Sequence, residues 1–390
     1  MDNKQLGCWY LARAMDTRRN VSYFVGANVR GLFCWNHHTN EIERIDSLEH
    51  CAADNMLYDV GIIRGDEVFF PPKNTTELLI YNRSDQSVRY RSLYSEDVMR
   101  RIGFRTYYYG HIAYKDNEDT LYFFYREYPI VTIYNKNGVM EQEFFEMDSP
   151  LNLGSIYDVH DAVLYMPAAN RNLILSYDTK KRSFEGIEIH NLSTVGFSSC
   201  IHNGSSLILT SHDGKSIIRY DFETKETLEV RVPTADIDQD DLYQIKQYQS
   251  GYILVPLLDV KKEKRMDCIY ILDADFHLIE TKAIDEPYAK MKKWSVSSEG
   301  TEEYYFMFEA VFGDDGDMFF AEKMQLVKLD YEKLIMTNIE YPMPERFDGN
   351  TMSKLIVNNQ IAIAIKYYDK VFENPRISVE EYIDYISNLE

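Results

Sequence analysis

The 390-residue chain carries 42 Lys and Arg against 63 Asp and Glu, a formal charge of −21. That surplus argues against nucleic acid as a general partner and against a polybasic hold on anionic membranes. Hydrophobic residues make up 45%, enough for a packed core, and 31 Tyr and 20 Phe against 3 Trp favour half-buried strands.

Five cysteines, Cys8, Cys34, Cys51, Cys200 and Cys268, are odd in number and widely spaced, with no C-x-x-C. They read as small hydrophobic thiols in a reducing compartment rather than a disulfide framework. Met1–Gln5 offers no apolar signal region, and no apolar run approaches the length of a membrane span. The expectation is a cytoplasmic protein with no membrane contact.

Along the chain one short signature recurs: apolar residues, then Tyr, Trp or Leu, then Asp or Asn. It stands at Trp35-Asn36, Tyr81-Asn82, Tyr134-Asn135, Tyr177-Asp178, Tyr220-Asp221, Leu272-Asp273 and Leu329-Asp330, at intervals of 43 to 57 residues. About ten residues upstream of the later six lies an apolar strand, such as Val68–Phe70, Leu121–Phe124, Val163–Met166 or Met318–Phe320. Downstream come turn residues and an alternating strand such as Thr227–Val232. Period-2 runs bounded by turn signals read as antiparallel strands, four per unit. One such sheet cannot bury both faces alone, whereas radial stacking buries each face on a neighbour. In that arrangement the aromatic packs between sheets, and the Asp or Asn starts the turn into the outer strand by bonding backbone N–H groups.

The repeat resembles the β-propeller superfamily, nearest to its NHL, YVTN and PQQ-like members, over nearly the whole chain. Kelch double glycines and WD40 strand ends are absent. The resemblance implies an all-β, seven-bladed propeller of four-stranded antiparallel blades as a single domain over 1–372. Strands within 353–366 are expected to close the ring or form an incomplete eighth blade. Ser378-Val379-Glu380-Glu381 forms a capping box, and Val379, Tyr382, Ile383, Ile386 and Leu389 share one helical face, so a short helix is expected over 376–390.

No phosphate-binding glycine loop, H-E-x-x-H or G-x-S-x-G occurs, and no cofactor is expected. Asp236–Asp241 starts like a calcium loop but lacks the glycine and the closing Glu, so it reads as a solvated acidic loop. His111, His160 and His202 fall on or near innermost strands. Converging histidines bind metals, but one per blade is better read as a hydrogen-bonded strand residue, and no metal site is assigned. His111, His160 and Asp158 are the candidates for a general base.

In a propeller, the loops joining second and third strands share one face with the loops between blades, around the channel mouth. The second-to-third loops hold Arg30, Lys73, Arg126, Arg171, Lys215, Lys261–Arg265 and Lys323. Between blades lie Arg100, Arg101 and Arg105, and Lys290, Lys292 and Lys293 beside Trp294. Tyr107, Tyr108, Tyr157, Tyr243 and Trp294 supply flat packing surfaces near the starts of innermost strands. This pattern points to an electropositive funnel for an anionic small molecule, sugar or acidic peptide, with solvated loops as the plainer account. Three functions compete. One is a module binding a ligand or protein partner at the channel mouth. Another is a lyase or hydrolase for an anionic or glycosidic substrate. The third is a structural scaffold in a larger assembly.

Overall fold

The computed structural model describes residues 12–16, 19, 21–25, 31–36, 38–39, 41–48, 58–59, 61–73, 75–98, 110–146, 150–154, 157–233, 242–257, 266–288, 292–296, 302–307, 311–312, 318–319, 323–330, 335–342 and 376–378. The chain divides into two compact units, one of residues 1–115 with 292–390 and one of residues 116–291.

Successive antiparallel strands build successive sheets. The first holds β1 (Ala12–Asp16), β2 (Val21–Val25), β3 (Leu32–Asn36) and β4 (Glu41–Asp46). The second holds β5 (Ile62–Arg64), β6 (Glu67–Phe70), β7 (Glu77–Asn82) and β8 (Val88–Ser92), and the third β9 (His111–Lys115), β10 (Leu121–Tyr125), β11 (Ile130–Tyr134) and β12 (Met140–Phe144). The fourth comprises β13 (Asp158–His160), β14 (Val163–Pro167), β15 (Leu173–Asp178) and β16 (Ser183–Glu188). The fifth comprises β17 (Phe197–Asn203), β18 (Ser206–Ser211), β19 (Ser216–Asp221) and β20 (Thr227–Arg231). The sixth runs through β21 (Leu242–Tyr248), β22 (Gly251–Leu257), β23 (Met266–Leu272) and β24 (Leu278–Tyr288). The seventh opens with β25 (Lys292–Val296) and β26 (Glu302–Met307), then inserts a hairpin of β27 (Val311–Phe312) and β28 (Met318–Phe319). It resumes with β29 (Lys323–Asp330) and β30 (Ile335–Pro342). A last strand, β31 (Arg376–Ser378), pairs antiparallel with β4 and makes the first sheet five-stranded.

The burial pattern follows position in the sheet. The middle strands β10, β11 and β18 are buried at every residue, whereas the outer strands β8, β12, β16 and β20 alternate toward solvent. Continuous apolar runs belong where both faces are covered, and alternation belongs where one is wet. Within the second unit, Tyr165, Ile174, Phe197, Leu209 and Tyr220 form the core between the fourth and fifth sheets. Ile208, Ile217, Tyr243, Leu254 and Leu272 do the same between the fifth and sixth. Within the first unit, Tyr23, Leu32, Val68, Leu79 and Tyr81 fill the space between the first two sheets.

The recurring anchor has the expected structural role. The Tyr177 ring lies against Tyr122, Phe124 and Phe184, and its hydroxyl donates to Glu143 at 2.6 Å. After six of the seven anchors the next residue caps the turn into the outer strand. Asp178 Oδ1 accepts from the N–H groups of Lys180 and Lys181, Asp221 Oδ1 from Glu223 and Thr224, and Asp273 Oδ1 from Asp275 and His277. Asn36, Asn82 and Asn135 bond the same way through Oδ1. These backbone donors hold the carboxyls of Asp178, Asp221 and Asp273 below their ordinary value of 3.8.

A second set of links joins neighbouring innermost strands. Such a strand is a sheet edge, with outward N–H groups that no partner strand satisfies. Asp59, just ahead of β5, accepts from the His111 N–H at 3.0 Å. Asp158 accepts from the His202 N–H at 2.5 Å, and Ser199 Oγ from the Ile245 N–H at 3.0 Å. In each case the acceptor belongs to one sheet and the amide to the next.

One expectation changes at the C-terminal end. Met318–Phe320 was expected as the second strand of the seventh unit, but that strand is β26, and Met318–Phe319 belongs to the inserted hairpin. The insertion shifts the apolar run away from the repeat position that it mimics. Of the span 376–390, Arg376–Ser378 are strand residues paired with β4. Residues 379–390 and the closing strands at 353–366 lie outside the described residues.

The turn caps set a pH dependence. Carboxyls with folded values below 3.8 contribute stability above that pH and lose it as pH falls through the depressed values. The triple substitution Asp178→Asn, Asp221→Asn and Asp273→Asn keeps the acceptor oxygen but removes the titration. Thermal melts from pH 6 to pH 3 should show the parent losing more stability on acidification than the triple variant; parallel losses would contradict the assignment.

Candidate functional site

Loops after the second and fourth strands lie at one end of each sheet, and turns after the first and third at the other. In the second unit the first of these ends gathers three expected cations: Arg126 after β10, Arg171 after β14 and Lys215 after β18. Their loops are braced. Arg126 Nε donates to the Leu153 carbonyl at 2.6 Å, and Leu153 N–H returns a bond to the Arg126 carbonyl at 2.9 Å. Asn170 Oδ1 accepts from Asn152 N–H at 2.9 Å, while Asn172 spans the next loop, accepting from Gly196 N–H and donating to the Thr194 carbonyl. Gly196 has φ +78°, and an added Cβ would lie 1.9 Å from the Ala169 carbonyl oxygen, so glycine is required at this close approach.

The cations differ in what they do. Arg126 is half-buried and spends a donor on its own framework. Arg171 is half-buried, with no hydrogen bond or ion pair among the described residues. Lys215 is exposed beside Asp213, whose carboxyl burial would raise but which the Ser211 hydroxyl and the Lys215 N–H hold below its ordinary value. Lys73 sits in the corresponding loop of the second sheet.

Other expected residues fall elsewhere. Lys323 is the first residue of β29, not part of a second-to-third loop, because the β27–β28 hairpin takes up that connection. Trp294, Lys292 and Lys293 lie within β25 rather than in a loop between sheets. Tyr157 is half-buried just ahead of β13. Tyr243 is 3% exposed in the core between the fifth and sixth sheets and presents no open surface. Arg30, Arg105, Tyr107 and the acidic loop at 236–241 lie outside the described residues.

The candidate acid–base groups are built into the framework. His111 is buried, its Nε2 bonded to the Tyr94 hydroxyl and its N–H to Asp59. Asp158 holds the His202 N–H. His160 stacks on His202, ring centroids 3.8 Å apart, and pairs with Asp161 at 3.3 Å. Burial and the neighbouring His160 hold the His202 pKa below its ordinary value. His160 and His202 close their innermost strands, so they stand at the end opposite to Arg171 and Lys215. Among the described residues no three His, Cys, Asp or Glu side chains group as a metal site. Cys200 is a core thiol whose pKa burial pushes well up, with Sγ 3.2 Å from the Tyr165 carbonyl oxygen.

One feature escaped the repeat pattern. Between the fourth and fifth sheets lies a cleft of about 420 Å³, lined by Tyr165, Ser176, Glu185, Tyr220 and Phe222 among others. The signal for it is a small residue, Ser176, immediately before the Tyr177 anchor.

No protein-family model and no curated protein matches the chain. Solved structures do. The chain is similar to a virginiamycin B lyase from Staphylococcus aureus at 12% identity, over 75% of this chain and 89% of that one, with a TM-score of 0.51. It is also similar to the dihydro-heme d1 dehydrogenase NirN, at 10% identity over 85% and 66% of the two chains, with a TM-score of 0.52. At such identities the likeness is one of fold. With the run of four-stranded antiparallel sheets it places the chain among the β-propellers.

If Asp158 serves the framework, its loss is felt as stability. Asp158→Ala leaves the His202 N–H without its acceptor and should cost about 1–3 kcal/mol in urea denaturation, with Asp158→Asn recovering most of it. Equal stability of Ala and parent would show that the bond carries nothing.

Proposed function

We propose that the chain is a binding propeller of seven blades over residues 1–372. Its channel-mouth loops hold an anionic small molecule, an acidic sugar or an acidic segment of a protein partner. The observation that carries this reading is Arg171: a half-buried guanidinium with no partner among the described residues, on a loop fixed from both sides. A cation on a braced loop needs no backbone rearrangement on binding, which favours recognition of carboxylate or phosphate groups. Lys215, one sheet on, adds charge at the same end.

Asp158 and His111 favour binding over chemistry, because the Asp158 carboxylate holds the His202 N–H and the His111 imidazole is bonded to the Tyr94 hydroxyl. Among the described residues no helix is long and apolar enough to cross a membrane. Cys34 and Cys200 form no disulfide among the described residues, in keeping with the reducing cytoplasm as the proposed compartment.

Calorimetric titration of the full chain with citrate and with a hexaglutamate peptide tests the proposal. Replacing Arg171 and Lys215 together with Ala should weaken the bound probe about tenfold, and added salt should weaken the parent's binding. Equal affinity in parent and double variant would refute the assignment of this surface.

A further inference from the structure

The cleft between the fourth and fifth sheets has a counterpart one interface further on, and the comparison shows what the cleft lacks. In the fourth sheet, Ser176 pairs with Tyr165 on one side and Glu185 on the other. In the fifth sheet, the equivalent register position is Arg219, between Ile208 and Leu228. The Arg219 guanidinium crosses to the sixth sheet. There it lies over the Phe276 ring, 4.8 Å from the centroid, and donates to the Ala274 carbonyl. Both acceptors belong to the turn between β23 and β24.

At the other anchors the same position holds Cys34, Ile80, Ile133, Ile271 and Lys328. Ser176 is the smallest of the set. It is 5% exposed, and its hydroxyl turns back to the Glu185 carbonyl. It therefore sends nothing across, and the space stays open.

The walls of that space carry aromatic rings and the carboxylates Asp178, Glu185 and Glu188 beside Lys181 and Lys225. Phe222, from the turn between β19 and β20, lines the cleft as Phe276 flanks Arg219. Tyr220 already carries Lys225 over its ring, 5.8 Å from the centroid. Opposite stands Glu185 where the fifth sheet has Leu228. Of the other acids, Asp178 pairs with Lys181 at 3.0 Å and Glu188 faces His190 at 3.7 Å. Glu185 has no ion pair among the described residues. An aromatic face with a carboxylate opposite is the arrangement that a planar guanidinium satisfies, by stacking and bidentate bonding at once.

We infer that this cleft receives an arginine side chain from a partner protein, filling from outside the place that Arg219 fills from within at the next interface. This site lies apart from the loops bearing Arg171 and Lys215 and recognises the opposite charge, so either can fail without the other.

The probe is N-acetyl-arginine amide, titrated into the full chain with the methyl resonances of Val163 and Ile187 as reporters, both residues lining the cleft. Saturable shifts are expected, at least about tenfold weaker with the neutral citrulline analogue and in Glu185→Gln, as for loss of a charged hydrogen bond. Ser183→Trp, at an exposed position on the cleft wall, should abolish them. Free arginine should bind no more tightly than the blocked amide; tighter binding would mark a free amino-acid site and overturn the assignment to a protein partner. Absence of saturable shifts, equal binding of the citrulline analogue, or unchanged binding in either variant would overturn the inference.

Discussion

An innermost propeller strand is an edge, and an edge amide facing inward needs an acceptor. Here the acceptor comes from the preceding sheet: Asp59 for His111, Asp158 for His202, Ser199 for Ile245. These bonds tie three sheets to their successors, while aromatic anchors such as Tyr177 pack between sheets. Roughly one net kilocalorie per mole is typical of each such bond, but a buried amide left unsatisfied costs more, about 1–3 kcal/mol. The constraint also decides which polar residues are free for function. Asp158 has the side chain of an acid–base site, and this constraint commits its carboxylate to the His202 N–H.

Much of the fold was legible in the sequence because it repeats. The anchor and its following Asp or Asn combine two demands at adjacent residues, an aromatic turned between sheets and an oxygen turned to the backbone, and so they survive divergence of everything around them. Legibility failed where the chain breaks its own period. The β27–β28 hairpin contributes an apolar Met-Phe pair at nearly the expected distance before Leu329, and with it Lys323 moves from a loop into a strand. β31 was hidden by its neighbours: the capping box after Arg376 and Ile377 reads as a helix start, whereas these residues find an open edge on β4.

The candidate sites show a different limit. Loop position placed Arg126, Arg171 and Lys215 at one end of their sheets, yet sequence alone does not distinguish the guanidinium bonded to Leu153 from the one without a partner. The cleft is a departure from the repeat, visible in a single small residue, Ser176, where the neighbouring unit has Arg219. Its lining differs from the loops, with aromatic rings and carboxylates beside two lysines. A net charge of −21 does not say where in the fold the cations fall.

Amide hydrogen exchange tests the central claim most directly. The N–H groups of His111, His202 and Ile245 point away from their own sheets, so without the acceptors on the preceding sheet they would exchange like exposed edge amides. The account predicts protection matching that of interior-strand amides such as Leu207 and Leu254. Exchange of these three within the time of the solvent-exposed outer-strand amides would contradict it.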